Sequence, residues 1–256
     1  MKLGILISGQ HVASDAPHRR FHDHLEEVRA AASSGFDGVF IGQHFLGAPF
    51  RFFEPLTALA RFAAEAPGLT IGTAALVLPL HHPVTLAEQL ANLDVISDGR
   101  LIAGVALGHR ELEFDAFGVP AGQHVKRYLE VLDVMTRLWT GEPVTASGAW
   151  GKIEGAPLTN TPVQRPRPAV LIGGNVESAM RRAARHGDGL MLSLRNTLGT
   201  LEKLVATFDA TRAETDRGPA KEITVSRETF IAEDRDEAWR ICRPHLGGKY
   251  ETVVGW

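Results

Sequence analysis

Residues 70–94, TIGTAALVLPLHHPVTLAEQLANLD, decide how the rest of the chain is read. The first half, residues 71–80, is an apolar run with β-branched residues that is too short to span a membrane and ends around Pro79. It predicts a fully buried strand running into a loop. The second half predicts a helix. Pro83 suits a first helical turn, Leu86, Leu90, Leu93 and Ile96 recur at helical spacing, and Asp98-Gly99 stops the pattern. Strand, loop and helix make one β/α unit. At its centre, Ala74 and Ala75 fall at the carboxyl end of the strand, where small side chains let a flat group approach the backbone, and His81-His82 follow. Taken alone, the alanines also suit ordinary packing and the histidines a solvated loop.

Outward from this unit the same pattern repeats. Apolar runs begin near residues 3, 38, 70 and 101, among them DGVFI (37–41) and LIAGVA (101–106), and the spacing of a little over thirty fits successive βαβ units. Helical patterns fill the intervals at residues 21–32, closed by Gly35, and at 55–66. Further along, a helix is expected at about 127–139, strands at 169–172, 190–192 and 222–231, and a helix at 198–212. Parallel strands at this rhythm mean a barrel or a doubly wound sheet. No G-x-G-x-x-G follows strand 1, where the residues are SGQHVASDAP, so the (β/α)8 TIM barrel is favoured over a Rossmann domain. Residues 141–168, rich in Gly, Pro and Thr, read as an insertion before strand 5 and not as a domain boundary. One domain over residues 1–256 is expected. The strand count stops at seven, so the eighth β/α unit of a closed barrel is missing from this chain or the closure is altered.

Composition narrows the partners. The 256 residues are 44% hydrophobic, enough for a large core, and 27 basic against 30 acidic side chains leave a net charge of −3. With no polybasic block, nucleic acid and anionic membranes are poor partners and a small molecule is the better one. Cys242 is the single cysteine, which excludes an internal disulfide framework and suits a reducing compartment. The amino terminus loosely imitates a secretory signal, but its apolar run is short and interrupted by Gly4, Ser8 and Gly9, so it reads as strand 1 of a cytoplasmic protein.

In α/β barrels the working residues lie on the loops after the strands, which selects Gln10, His11, Gln43, His44, and residues 74–82, 107–113, 173–178 and 193–196. Gly173-Gly174-Asn175 runs from a strand into a helix. Backbone N–H groups at a helix start attract an anion, and the glycines admit a phosphate to which Asn175 or Ser178 adds a hydrogen bond; a glycine turn with an Asn cap is the structural alternative. His44, just past strand 2, can exchange a proton near neutral pH or serve a structural role. Zinc would require His44 to be joined by His11, His81 or His82, and no G-x-S-x-G elbow supports a serine hydrolase.

Four segments, GFDGVFIGQHF (35–45), IGTAALVLPLHHPVTLAEQLANLDVISDGR (71–100), EFDAFGVP (113–120) and IGGNVESAMRRAARHGDG (172–189), resemble the bacterial luciferase-like monooxygenases, and the resemblance runs from Lys2 to about Tyr250. It implies a TIM barrel that holds reduced FMN, or the deazaflavin F420, at the carboxyl end of the strands. It implies a non-proline cis peptide at Ala74-Ala75 under the flavin ring, and a role for His44 in forming or protecting a flavin C4a-hydroperoxide that oxygenates a small organic substrate. It assigns Gly173, Gly174, Asn175 and Ser178 to the phosphate-binding turn, Arg127 to a basic contact with the phosphate, and Ser193 to a place nearby. Oxygen, a flavin reductase and a homodimeric partner are implied as well. F420-dependent hydride transfer and a non-catalytic flavin-binding protein are the alternatives. One departure stands out: Ala106-Leu107 replaces the Cys-Arg pair found after strand 4 in the luciferase branch, leaving His109 or Arg110 to compensate.

Overall fold

Short apolar runs bounded by turn residues become parallel strands here because each is covered by the helix that follows it. The structure is a computed structural model and describes residues 1–193 and 196–254. In chain order, β1 (Gly4–Ile7) leads to a short β2 (Gln10–Val12) and α1 (Pro17–Ser33), then β3 (Gly38–Ile41), a short β4 (Phe50–Phe52) and α2 (Pro55–Glu65). Next come β5 (Thr70–Thr73), β6 (Leu76–Val77), a 3-10 turn (Leu78–Leu80), α3 (Pro83–Ile96), β7 (Leu101–Ala106), α4 (Glu111–Ala116) and α5 (His124–Leu138). The chain continues through β8 (Val144–Gly148), β9 (Gly151–Ala156), β10 (Ala169–Gly173), α6 (Glu177–His186), β11 (Gly189–Leu192), α7 (Leu198–Ala213), β12 (Ile223–Val225) and α8 (Arg235–Val254).

The main sheet is parallel, ordered β1-β3-β5-β7-β10-β11-β12. Among the described residues β12 is not hydrogen-bonded to β1; Lys2 Nζ and Glu222 Oε2 face each other across that edge at 3.9 Å. Side chains alternate along the strands. Val39 and Ile41 of β3 pack with α2 residues Leu59 and Phe62 in the main core, while Phe40 points to the other face with Ile102, Leu171 and Met191. The helices are seated by buried polar side chains as well as apolar ones. The Trp139 indole N–H donates to Ala87 O of α3 at 3.0 Å, and the fully buried Asp94 carboxylate accepts from the backbone N–H groups of Val163 and Gln164 at 2.7 and 3.0 Å. Asp94 thus pins the returning end of the 141–168 insertion, whose β8 and β9 form an antiparallel pair.

Two expectations are corrected. Residues 71–80 do not form one strand: the chain breaks between β5 and β6. Gly72 pairs with Ile102 and Leu76 with Val105, four steps along one chain against three along the other, so residues 73–75 form a bulge. The neighbouring strand is shaped for it. A Cβ on Gly104 would lie 1.9 Å from Thr73 O, and one on Gly42 would lie 2.9 Å from Ala74 O, so only glycine admits the bulged backbone at these two positions. Strand 7 is the second correction. It ends at Val225, and Phe230 and Ile231 are exposed; among the described residues no strand pairs with that segment.

Candidate functional site

The bulge places Ala74 and Ala75 at the carboxyl end of the sheet, partly exposed above Ile102, Leu171 and Met191. The peptide bond between them is cis. Three residues past β3, His44 is held from the side by Glu113, a residue of the short helix α4. Glu113 is 1% exposed, and its Oε1 accepts from Phe45 N–H at 2.8 Å, Arg110 Nη1 at 3.2 Å and His44 Nδ1 at 3.3 Å. A carboxylate only accepts, so the contact fixes the proton of neutral His44 on Nδ1 and leaves Nε2 as the basic nitrogen. Burial works to raise the Glu113 pKa, but the hydrogen bonds from His44 and Phe45 and the charges of His44 and Arg110 outweigh it, holding the carboxyl below the ordinary range.

Arg110 is buried, and it donates through Nη1 to Phe45 O at 2.8 Å and through Nη2 to Leu46 O at 3.3 Å. It therefore fastens the loop after β3 to α4 and is not turned to the glycine turn as a substitute phosphate ligand. Gln43, buried beside His44, uses its Oε1 to accept from Val77 N–H at 3.0 Å and His81 Nε2 at 2.9 Å. Burial pushes the His81 pKa down to about 4 against the opposing pull of Glu54, so its ring is neutral near pH 7 with the proton on Nε2.

The second cluster lies past β10 and β11. Gly173 pairs with Met191, and Gly174 N–H donates to Met191 O at 3.4 Å, which puts the glycine turn beside Ser193 at the end of β11. Asn196 Nδ2 donates to Asn175 Oδ1 at 2.9 Å and ties the two loops together. Residues 194 and 195 of the loop read from sequence as 193–196 lie outside the described residues. Helix α6 begins at Glu177 with Val176 as N-cap and no side-chain cap, so Asn175 is not its capping residue, and Ser178 is exposed in the first turn. Gly174 has a packing reason too: a Cβ there would sit 2.3 Å from the Ala179 Cβ. Arg127 lies in the first turn of α5, and its Nε donates to Pro79 O at 2.7 Å, joining α5 to the turn after β6.

The structure thus gathers Ala74, Ala75 and His44 on one side of the sheet's carboxyl end and Gly173, Gly174, Asn175, Ser178 and Ser193 on the other. Sequence reading assigned no role to Glu113 or to the Gln43 amide, because both act through contacts distant in sequence; the pairing of Arg110 and Glu113 three residues apart was the available signal. Among the described residues, no three His, Cys, Asp or Glu side chains come together in a way that could hold a metal ion.

The family model for luciferase-like monooxygenases matches residues 1–254. The chain belongs to that family. It is 25% identical over its whole length to the oxygenase component of the flavin-dependent trigonelline monooxygenase of Acinetobacter baylyi, of which it covers 72%. It superposes with a TM-score of 0.83 and 27% identity on the monooxygenase RslO1 of Streptomyces bottropensis, covering 100% of this chain and 82% of that one. An F420-dependent secondary alcohol dehydrogenase shares the fold with a TM-score of 0.81 at 21% identity over 94% of this chain and 73% of that one. Against several other curated relatives the chain spans about half of their length. Among the described residues no helix is long and apolar enough to cross a membrane.

Proposed function

We propose that the chain is a flavin-dependent monooxygenase that uses reduced FMN and molecular oxygen to oxygenate a small organic substrate. In this reading the curled sheet belongs to a (β/α)8 TIM barrel, the protein works in the cytoplasm as a homodimer, and a flavin reductase supplies the reduced cofactor. The observation that carries the reading is His44, held through Nδ1 by the buried Glu113 so that Nε2 is the basic nitrogen. Two features suit a flat ring with a phosphate tail. Ala74 and Ala75 carry only methyl side chains, with room made for the bulged backbone by Gly42 and Gly104, and helix α6 starts behind Gly173-Gly174 with no side-chain cap on its N–H groups.

When bound, reduced FMN supplies the two electrons and the reaction with oxygen that the polypeptide cannot. The protein's own contribution is placement and protection. Gly173, Gly174, Asn175, Ser178 and Arg127 hold the phosphate, Ala74 and Ala75 support the ring, and Ser193 lies near the tail. His44 Nε2 takes or returns a proton beside the ring, and the phenylalanines around it exclude water.

The deciding experiment is an anaerobic titration of the protein with reduced FMN and with reduced F420, followed by admission of oxygen. Tight binding of FMN and an oxygen-dependent transient in the absorption spectrum are expected. His44→Ala should remove oxygenation by about a hundredfold or more while leaving FMN affinity within about twofold. Preferential binding of F420 with no reaction toward oxygen would replace the monooxygenase by a hydride-transferring oxidoreductase. Full oxygenation by the His44 variant would remove the role given to that residue.

A further inference from the structure

A cavity of about 430 Å³ opens beside His44, between the β2-β4 ribbon and the loop after β3. Its size falls at the small end of ligand pockets, about 300–1,000 Å³. Four phenylalanines line it, Phe45, Phe50, Phe52 and Phe53, and each is only half-buried. His44 lines it as well, with its side chain 29% exposed, so the histidine can be reached from this side. Two exposed side chains of opposite charge stand at the opening, and each is engaged: Arg51 Nη1 donates to Asp15 O at 3.2 Å, and Glu54 Oε2 caps α2 by accepting from Thr57 N–H at 2.8 Å.

The aromatic wall is held in place by its own packing. Phe53 stacks on His11 of β2 at 5.1 Å between ring centroids and meets Phe21 of α1 edge-on at 5.1 Å, which fastens the ribbon to the first helix. Phe50 and Phe52 lie two apart on β4 and therefore share one of its faces. Phe52 is wedged between two neighbours. Its ring centroid is 5.2 Å from that of His44 with the planes inclined by 62°, and a Cβ on Gly47 would lie 2.3 Å from its Cε2. The missing side chain at Gly47 is thus what gives the Phe52 ring its seat, and Phe50 N–H closes that turn by donating to Gly47 O at 2.9 Å.

We propose that this cavity takes an uncharged aromatic compound as substrate and that Phe52, seated by Gly47 against His44, is the residue that selects it. The inference rests on the flavin reading for the role of substrate, whereas the binding preference stands on the cavity's own residues. An aromatic ligand makes edge-to-face and offset contacts with the phenylalanines that a saturated ring of similar size lacks, worth roughly two- to tenfold in affinity. The opposed and engaged charges at the opening do not repay an acid for its lost water. A ring packed on Phe52 lies next to His44, the group that handles the proton.

The test titrates benzyl alcohol, cyclohexylmethanol and benzoate by calorimetry into the flavin-free protein and into protein loaded anaerobically with reduced FMN. The two alcohols carry the same polar group on an aromatic and on a saturated ring. Benzyl alcohol is expected to bind about fivefold more tightly than cyclohexylmethanol, and more tightly than benzoate. Phe52→Leu should bring the two alcohols within about twofold of each other, and Phe52→Tyr, which keeps the ring, should retain the preference. Gly47→Ala should lose it with every phenylalanine still present, because the new methyl takes the seat of the Phe52 ring. Absence of binding, equal affinity for the two alcohols in the wild type, a preference that survives Phe52→Leu or Gly47→Ala, or a preference for benzoate overturns the proposal. If FMN fails to bind and the benzyl alcohol preference holds, the pocket stands and the flavin reading falls; if FMN binds and the preference is absent, the pocket inference falls alone. Should Phe52→Leu not fold, the wild-type ratio and Gly47→Ala decide.

Discussion

The two halves of the sheet's carboxyl end are built in opposite ways. Around His44 each position is tied to another across the fold: Glu113 to His44 and Phe45, Arg110 to Phe45 and Leu46, Gln43 to Val77 and His81. Around Gly173-Gly174 the turn is exposed at Asn175 and Ser178; among the described residues Gly174 N–H makes a long bond to Met191 O and Asn196 bonds to Asn175. A group that moves protons has to be held in one orientation, and rigid contacts do that. A turn that grips a phosphate has to keep its own donors unsatisfied, which contacts within the protein would prevent.

The contrast is open to attack at four places. The largest effect is expected from Glu113→Ala, which leaves the buried Arg110 guanidinium without its carboxylate and should lower stability by about 3–5 kcal/mol in urea unfolding, while Glu113→Gln, which keeps an acceptor, should lose less. A loss for the alanine variant no larger than for a surface substitution would dissolve the clamp. Next is acidity. His81 has its folded pKa depressed to about 4, so the unfolded chain takes up a proton first and stability should fall as pH drops from about 6.5 to about 4, by roughly 3 kcal/mol in all. Glu113 moves stability the same way but at lower pH, because its depressed pKa keeps it ionised until the pH passes below the ordinary carboxylate range. Melting temperatures across that range should show the His81 step first, and His81→Asn should flatten it.

Gly174→Ala probes the looser side. Its new methyl would meet the Ala179 Cβ at 2.3 Å, and the forced shift should cost about 1–3 kcal/mol in thermal unfolding. The smallest effect belongs to Ser178→Ala, which on the proposed function should weaken FMN about threefold and leave riboflavin, which has no phosphate, unchanged. Equal weakening of both flavins would detach Ser178 from the phosphate.

The parallel strands were legible because burial on both faces writes an apolar run, and helices such as α3 announce themselves by spacing and by their flanking Pro83 and Gly99. Residues 71–80 look like one strand because their composition satisfies burial throughout; the interruption depends on Gly104 of β7, and a register shift against a neighbour leaves no local trace. The over-long strand 7 has the reverse cause, since Phe230 and Ile231 have strand propensity but no partner. At the site, His11, Gln43 and His44 were found because position after a strand is enough to nominate them. What each does was not, for Glu113 reaches His44 across 69 residues and the Gln43 amide is oriented by Val77.

The pinning of the loop after β3 by α4 also has a mechanical consequence. Arg110 and Glu113 sit on the helix that follows β7, so the segment bearing His44 and the segment after β7 travel as one body, and separating them breaks several buried bonds together.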